Sequence, residues 1–168
     1  FTDCRVPAYK RLGEEGKGFD LMGEWLGATR LTVAATSVGR GQRVMEMATE
    51  WAATRKQFGQ PIGKFQGTGF KLADMATELD AARLMVRRAA QSLDRKSPDA
   101  TRLCAMAKRF ATDAGFDVAN QALQLHGGYG YLQDYPLERI VRDLRVHQIL
   151  EGTNEIMRVI IARELMRS

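Results

Sequence analysis

The stretch KLADMATELDAARLMVRRAAQSL, Lys71 to Leu93, decides the fold class. Its apolar residues recur at alternating steps of three and four positions, at Leu72, Met75, Leu79, Ala82, Val86, Ala89 and Leu93. This spacing is typical of an amphipathic α-helix that turns one face to a core. About six helical turns without proline or glycine therefore predict a long helix that packs against other helices.

A second stripe of the same kind follows along the chain. Ser97-Pro98-Asp99 indicates a helix start, because proline is favoured in the first turn. The apolar positions after it are Leu103, Ala107, Phe110, Ala114, Val118, Ala122 and Leu125, and the sequence HGGYGY then interrupts the pattern. This pattern predicts a second long helix. A short connection between the two helices favours an antiparallel arrangement.

Three further helices are predicted, at Phe19 to about Arg55, Pro136 to about Leu150, and Thr153 to near Met166. FGQPIG, residues 58–63, is predicted as a loop, and strand-like alternation is confined to the opening residues 1–6. We therefore expect an all-α protein, an antiparallel up-down four-helix bundle with a short additional C-terminal helix. Residues 1–18 are expected to be the tail of a preceding β-domain and a linker, and residues 19–168 the helical domain.

The composition is that of an ordinary globular protein of 168 residues, 45% hydrophobic and 27% charged. The net charge of +5 is dispersed among acidic residues, so we expect solvated helix faces and no nucleic-acid partner. No run is apolar enough to span a bilayer, and the opening has no signal-peptide core. Two cysteines and two histidines predict neither disulfides nor a metal site, and they favour a reducing compartment. Because the first residue is not Met, we expect a piece of a longer protein.

Near the C-terminus, HQILEGTNEI places Glu151 at a helix junction after two apolar residues. Taken alone, the segment indicates a helix boundary with Gly152 as terminator, Thr153 as N-cap and Glu155 in the next first turn. The alternative is a functional carboxylate that the junction points into a cleft.

Two other segments allow a structural and a functional interpretation. In TRKQFGQPIGKFQ, 54–66, Arg55 at a helix end either holds a phosphate or satisfies the last helical carbonyls. In QLHGGYGY, 124–131, the paired glycines either let a backbone approach a ligand or end a helix, with Gly127 in the left-handed region. No strand precedes them, so they are not a dinucleotide-binding fingerprint.

The order and spacing of these motifs resemble the C-terminal domain of the acyl-CoA dehydrogenases. The similarity covers essentially the whole chain and rests on FTDCRVPAYKRLGEEGKGF, TRKQFGQPIGKFQ, FKLADMATELDAARLM and QALQLHGGYGYLQDYPLERIVRDLRVHQILEGTNEI. Within the family, LADMAT, AARLMVR, QLHGGYGYL and RVHQILEG are most similar to the isobutyryl-CoA dehydrogenases. One segment departs from that group, because GATRL, 27–31, stands in place of Gly-Gly-Arg-Ile, which leaves the acyl specificity open.

The resemblance implies site residues position by position. Glu151 matches the catalytic base of the EGT motif. Arg30 matches an arginine near the thioester end of the acyl-CoA, Gly152 lines the substrate side, and Leu150 shapes the acyl pocket. The residues implied to bind the FAD of a neighbouring subunit are Arg55, Phe58, Gln66, Gln124, Leu125, His126, Gly127 and Gly128, and those implied to touch the FAD of the same subunit are Thr153, Asn154 and Glu155.

The activity implied is FAD-dependent α,β-dehydrogenation of a short or branched acyl-CoA. A carboxylate takes the α-proton, and an apolar pocket strengthens such a base. The implied partners are further copies of the chain, in a tetramer, and an electron-transferring flavoprotein. The implied location is the mitochondrial matrix of a eukaryote or the cytoplasm of a bacterium. Two alternatives stay open: a related flavin oxidase or monooxygenase, or a helical oligomerisation module that is inactive as an isolated fragment.

Overall fold

A computed structural model describes residues 1–167 and shows five α-helices. They are α1 Gly18–Thr54, α2 Gln66–Asp94, α3 Ala100–His126, α4 Leu137–His147 and α5 Asn154–Leu165. Short 3-10 turns occur at Ala8–Lys10, Ile62–Lys64 and Gly127–Tyr131. The predicted all-α class, with three long and two short helices, is confirmed.

Side-chain contacts between the helices fix their directions. Gly27 of α1 faces Leu93 of α2, and Gly41 faces Leu79, so these two helices run antiparallel. Helix α3 returns along α2, since Ser92 hydrogen-bonds Asp99 at one end and Lys71 bonds Gln121 at the other. The helices therefore alternate in direction, as predicted.

The two short helices continue the alternation. The Arg40–Asp143 ion pair and the Ser37–His147 hydrogen bond place the end of α4 beside the middle of α1. Trp51 at the end of α1 contacts Tyr135, which precedes α4. Helix α4 thus runs antiparallel to α1 and completes the four-helix bundle, while α5 packs its Met157 and Ile160 beside Ala105 of α3.

Helix α3 lies at the centre and contacts all four other helices. Its buried face consists mostly of small residues, which let the neighbouring helices approach closely. One core cluster joins α1, α2 and α3 at Ala34, Ala82, Ala89 and Ala107, and a second joins them to α4 at Val44, Val118, Leu137 and Leu144.

Two regions differ from the sequence prediction. Residues 1–6 form no strand, because no second strand lies beside them to share backbone hydrogen bonds. The predicted 58–63 loop is part of a small antiparallel hairpin of two-residue strands, β1 Lys56–Gln57 and β2 Gln60–Pro61. Its turn, Phe58 and Gly59, has φ angles of +51° and +84°. A strand of two residues is too short to show the alternation of apolar and polar residues by which strands are recognised in a sequence.

Gly115 of α3 packs against the backbone of α1 at Ser37, and we expect its replacement by valine to be destabilising. A Cβ at this position would lie 3.0 Å from the backbone oxygen of Ser37 and 3.3 Å from its Cβ. Since the obstruction is backbone, the helices must move apart, at a cost of about 1–3 kcal/mol of unfolding free energy. Thermal unfolding measures this loss against Gly39→Val, whose site on the exposed side of α1 has no atom within 4 Å of a new Cβ. Equal melting temperatures for the two variants would show that the crossing is not tightly packed.

Candidate active site

The junction between α4 and α5 has an unusual backbone. The chain leaves α4 with the Ile149 and Leu150 amides both bonded to the Val146 carbonyl, and Glu151 and Gly152 then take φ angles of +57° and +90°. A positive φ is uncommon for a residue with a side chain. Helix α4 ends at His147 with Gln148 as its C-cap, three residues before the predicted end, so Gly152 is not the terminator that the sequence predicted.

Two neighbouring residues of α1 contact Glu151. The Thr29 hydroxyl donates to Oε2 of Glu151 at 3.0 Å, and the Arg30 Nε donates to the Glu151 backbone oxygen at 3.2 Å. The Thr29 oxygen also lies 3.2 Å from the Leu26 carbonyl, and its single proton serves the carboxylate better because that acceptor is charged. Burial lowers the pKa of the Arg30 guanidinium, and the nearby Glu151 carboxylate partly offsets the effect.

The start of α5 is held from inside the bundle. The Thr153 hydroxyl accepts from the Ile156 amide at 3.4 Å, so Thr153 is the N-cap that the sequence predicted. Asn154 is buried, and its side chain bonds Lys108, Thr112 and Asp113 at 2.9, 2.9 and 2.7 Å. The Asn154 side chain is therefore fully engaged within the protein.

A second candidate region lies at the far ends of α1 and α3. It is an open groove of about 550 Å³ between the end of α1, the hairpin and the 3-10 turn Gly127–Tyr131. Five predicted cofactor residues of the QLHGG segment line it together with Arg55, namely Gln124, Leu125, His126, Gly127 and Gly128. Trp51, Gln57, Ile62, Tyr129 and Leu132 complete the wall.

Aromatic rings hold the Arg55 guanidinium at this groove. Its Cζ lies 5.8 Å from the ring centroid of Trp51 and 5.2 Å from that of Tyr129, within the range of cation–π attraction. Trp51 also stacks on His126, with ring centroids 4.7 Å apart and planes 19° from parallel. The Arg55 backbone amide donates to the Trp51 carbonyl at 2.8 Å and so satisfies one of the last carbonyls of α1. The guanidinium is not needed for that bond and stays available to a ligand.

The paired glycines at the groove have open space around them. Gly127 adopts φ 60° and ψ −137°, a conformation that only glycine takes readily, and it ends α3. No atom lies within 4 Å of a Cβ built on either Gly127 or Gly128. The adjacent His126 is buried and its Nδ1 donates to the Ala122 carbonyl at 2.8 Å. Burial lowers the pKa of His126, so the ring is neutral at neutral pH and adds no charge to the groove.

The remaining predicted cofactor residues lie elsewhere. Phe58 stands at the hairpin turn, 93% exposed, with its ring edge-on to Phe65, and Gln66 begins α2 on the surface. Thr153 and Glu155 border a small depression of about 200 Å³ with Arg145, Gln148 and Arg158. The structure thus divides the predicted site residues among the junction, the depression beside it and the distant groove, while Phe58 and Gln66 lie on the surface outside these regions.

The junction and the groove are far apart. Arg30 lies in α1 and Arg55 caps its C-terminal end, and their 25 residues of separation correspond to about 37 Å along the helix axis. The Glu151 junction and Arg55 therefore face two well-separated regions of the same chain.

Sequence inspection missed Thr29 and Lys108 at the junction and Trp51 and Tyr129 at the groove. The contact between Thr29 and Glu151 joins residues 122 positions apart, and no periodicity reveals it. Lys108 did carry a signal, because it lies four residues from Cys104 and from Thr112 on the buried face of α3.

Among residues 1–167, no group of three or more His, Cys, Asp or Glu side chains is placed to hold a metal ion. Within the same range, none of the helices combines the length and the apolar character that a membrane crossing requires.

Comparison with known proteins identifies the family. The family model described as "Acyl-CoA dehydrogenase, C-terminal domain" matches residues 16–166. The mitochondrial isobutyryl-CoA dehydrogenase of Bos taurus is 50% identical over 167 residues, 99% of this chain and 40% of that protein. This chain therefore spans about two fifths of the length of the curated relatives that it matches. The resemblance inferred from the motifs is confirmed.

Solved structures agree with this result. Butyryl-CoA dehydrogenase from Megasphaera elsdenii superposes with a TM-score of 0.92 at 42% identity, over 96% of this chain and 42% of that chain. A chain from a structure described as the electron-transferring flavoprotein of Acidaminococcus fermentans superposes with a TM-score of 0.94 at 43% identity, over 100% of this chain and 44% of that one. The chain belongs to the acyl-CoA dehydrogenase family and corresponds to the C-terminal domain of its members.

Proposed function

We propose that this chain is the C-terminal domain of an FAD-dependent acyl-CoA dehydrogenase in which Glu151 takes the α-proton of the substrate. The observation that carries the proposal is the geometry of Glu151, which has a positive φ angle and lies between α4 and α5. Thr29 donates a hydrogen bond to its carboxylate, and Arg30 donates one to its backbone oxygen. Members of the family are FAD-dependent oxidoreductases, which supports the cofactor assignment. Residues 1–18 are proposed to belong to the end of a preceding domain and its linker.

The junction suits proton abstraction in three respects. Thr29 fixes the orientation of one carboxylate oxygen, Oε2, which leaves Oε1 for the substrate. Gly152 lets the loop pack closely on α5, because a Cβ there would lie 2.9 Å from Cε of the buried Met157, and this packing fixes the backbone next to Glu151. The Arg30 guanidinium lies beside the loop and favours negative charge on the substrate as enolate character develops.

The groove fits part of the flavin cofactor. Arg55 offers a permanent charge and paired donors for a pyrophosphate, and Gly127 and Gly128 leave their backbone accessible. When bound, FAD supplies the acceptor for the hydride that leaves the β-carbon. The residues proposed to hold it are Arg55, Phe58, Gln66 and Gln124 to Gly128 from one subunit, and Thr153 and Glu155 from another.

The separation of about 37 Å between Arg30 and Arg55 along α1 supports this division between subunits. If Glu151 serves the cofactor of its own subunit, Arg55 of the same chain is placed to serve that of a neighbour. We therefore propose a homotetramer in which each flavin is enclosed by two chains.

We expect Arg55→Met to lower the affinity for FAD in the full-length enzyme about 10- to 100-fold, the usual effect of losing hydrogen bonds from a charged donor. Lys56→Met is the matched control, because Lys56 is the adjacent exposed cation and does not line the groove. The affinity of each variant for FAD is measured in two ways: by the flavin that remains bound after dialysis, and by titration of the apoprotein with FAD. Equal affinity in the two variants would remove Arg55 from the site.

The substrate is proposed to be a short or branched acyl-CoA, which the similarity to isobutyryl-CoA and butyryl-CoA dehydrogenases supports. The electron acceptor is proposed to be an electron-transferring flavoprotein. The mitochondrial relative supports the mitochondrial matrix in a eukaryote, and in a bacterium the proposed location is the cytoplasm.

Mass spectrometry of the product tests the reaction class. The full-length protein should convert isobutyryl-CoA or butyryl-CoA to a product lighter by two hydrogens when an electron acceptor is present. A product that has gained oxygen would instead assign the chain to a monooxygenase of the same fold.

A further inference from the structure

Lys108 is an unexpected residue in the core of the bundle. Its side chain is 0% exposed, and it is the one Lys, Arg, Asp or Glu in the buried class among residues 1–167. A buried ammonium is costly unless its hydrogen bonds are satisfied. The proposed reaction makes no use of Lys108, so the burial of this side chain needs another explanation.

The contacts of Lys108 converge on the active-site junction. Its Nζ donates to the Gly152 backbone oxygen and to Oδ1 of Asn154, both at 2.9 Å. Gly152 directly follows Glu151, and Asn154 is the first residue of α5. A single side chain from the central helix thus holds the loop on the C-terminal side of Glu151.

The network continues beyond these two bonds. Asn154 bonds Asp113 at 2.7 Å, and Asp113 accepts from the Gln148 side chain at 2.8 Å on the other side of the junction. The Asn154 backbone amide bonds the Gln148 carbonyl at 3.0 Å. The loop from Gln148 to Asn154 is therefore closed on itself and anchored to α3.

We propose that Lys108 is a positioning residue that holds the Gly152 carbonyl and thereby aims the Glu151 carboxylate. The proposal rests on the assignment of Glu151 as the base. Arg30 holds the Glu151 carbonyl from α1, and Lys108 holds the next carbonyl from α3. With one carbonyl held from α1 and the next from α3, Glu151 and Gly152 are kept at positive φ, and the Glu151 carboxylate is directed to the Thr29 hydroxyl.

The chemistry of lysine suits this role. Its stem is buried, and the flexible Nζ can donate to more than one acceptor. Burial is the main cause that lowers the pKa of Lys108 to about 8, with Asp113 opposing the shift. A neutral amine still has two donors, so both hydrogen bonds persist when the group loses its charge.

The test compares Lys108→Met with Lys71→Met in the full-length enzyme. Methionine keeps the length of the side chain and removes the donors, and Lys71 ties α2 to Gln121 of α3 away from the junction. Two properties are measured: the rate at which acyl-CoA reduces the flavin, and hydrogen exchange of the amides in the 148–154 segment.

We expect Lys108→Met to reduce the flavin about 10- to 100-fold more slowly, the size of effect that a displacement of about 1 Å causes. Binding of acyl-CoA should stay close to that of the wild type, since Lys108 does not touch the substrate. Exchange at the Asn154 amide should rise about tenfold or more. In Lys71→Met both properties should match the wild type, and Lys108→Gln, which keeps a donor, should fall between.

Equal rates and equal exchange in Lys108→Met and Lys71→Met would overturn the proposal. If Lys108→Met does not fold, Lys108→Gln decides by the same two measurements. If neither folds, a crystal structure of the wild type decides, because an Nζ more than about 4 Å from the Gly152 oxygen excludes the contact. If the wild type is not reduced by any acyl-CoA, the proposed function fails, while the exchange measurement still decides whether Lys108 holds the junction.

Discussion

A Glu151→Gln variant of the full-length enzyme is expected to reduce its flavin about 10²–10⁴-fold more slowly than the wild type, the usual cost of losing a positioned base. The amide has nearly the same shape as the carboxylate and can still accept the Thr29 hydrogen bond. It cannot take a proton from the α-carbon. FAD content should be normal, because Arg55 and the paired glycines lie about 37 Å along α1 from the junction.

Stopped-flow absorbance of the flavin after mixing with acyl-CoA measures this rate. Glu78→Gln is the control, since Glu78 is an exposed acid on α2 and its replacement makes the same change of charge. If Glu151→Gln reduces its flavin as fast as Glu78→Gln does, Glu151 is only a helix-junction residue.

Leu144→Ala is expected to destabilise the protein by about 2–5 kcal/mol, the usual cost of truncating a fully buried leucine. Leu144 is 0% exposed and packs in the core cluster with Val44, Val118 and Leu137. These contacts fasten the short helix α4 to α1 and α3. Because α4 ends one turn later at the Glu151 junction, loss of its packing should also slow flavin reduction.

Urea or thermal unfolding measures the stability difference. Val146→Ala is the matched truncation on the same helix, at a side chain that is 46% exposed, and it should cost far less. Similar losses for the two variants would mean that α4 is not held by its buried face.

The helices could be predicted from sequence because their burial is periodic. The stripe from Leu72 to Leu93 corresponds to α2, and the stripe that begins at Leu103 corresponds to α3. Where packing partners decide the conformation, the sequence pattern alone does not determine it. The opening residues alternate like a strand, yet they form none without a neighbouring strand.

The candidate site was predictable only where its residues adjoin in sequence. Glu151, Gly152 and Thr153 are local signals, since an acid, a glycine and an N-cap residue adjoin in sequence between two helical segments. Thr29 and Lys108 reach the junction only through the packing of α1 and α3 against it. A lysine on an otherwise apolar helix face is the local sign of such a contact, and its acceptor is visible only in the fold.

The measurement that tests the central claim most directly is deuterium exchange at the α-carbon of the substrate. The full-length enzyme is incubated with isobutyryl-CoA in D₂O without an electron acceptor, and the recovered acyl-CoA is analysed by mass spectrometry. If Glu151 removes the α-proton, the wild type incorporates deuterium at this carbon and Glu151→Gln does not. Equal incorporation by the two proteins would contradict the assignment of Glu151 as the base.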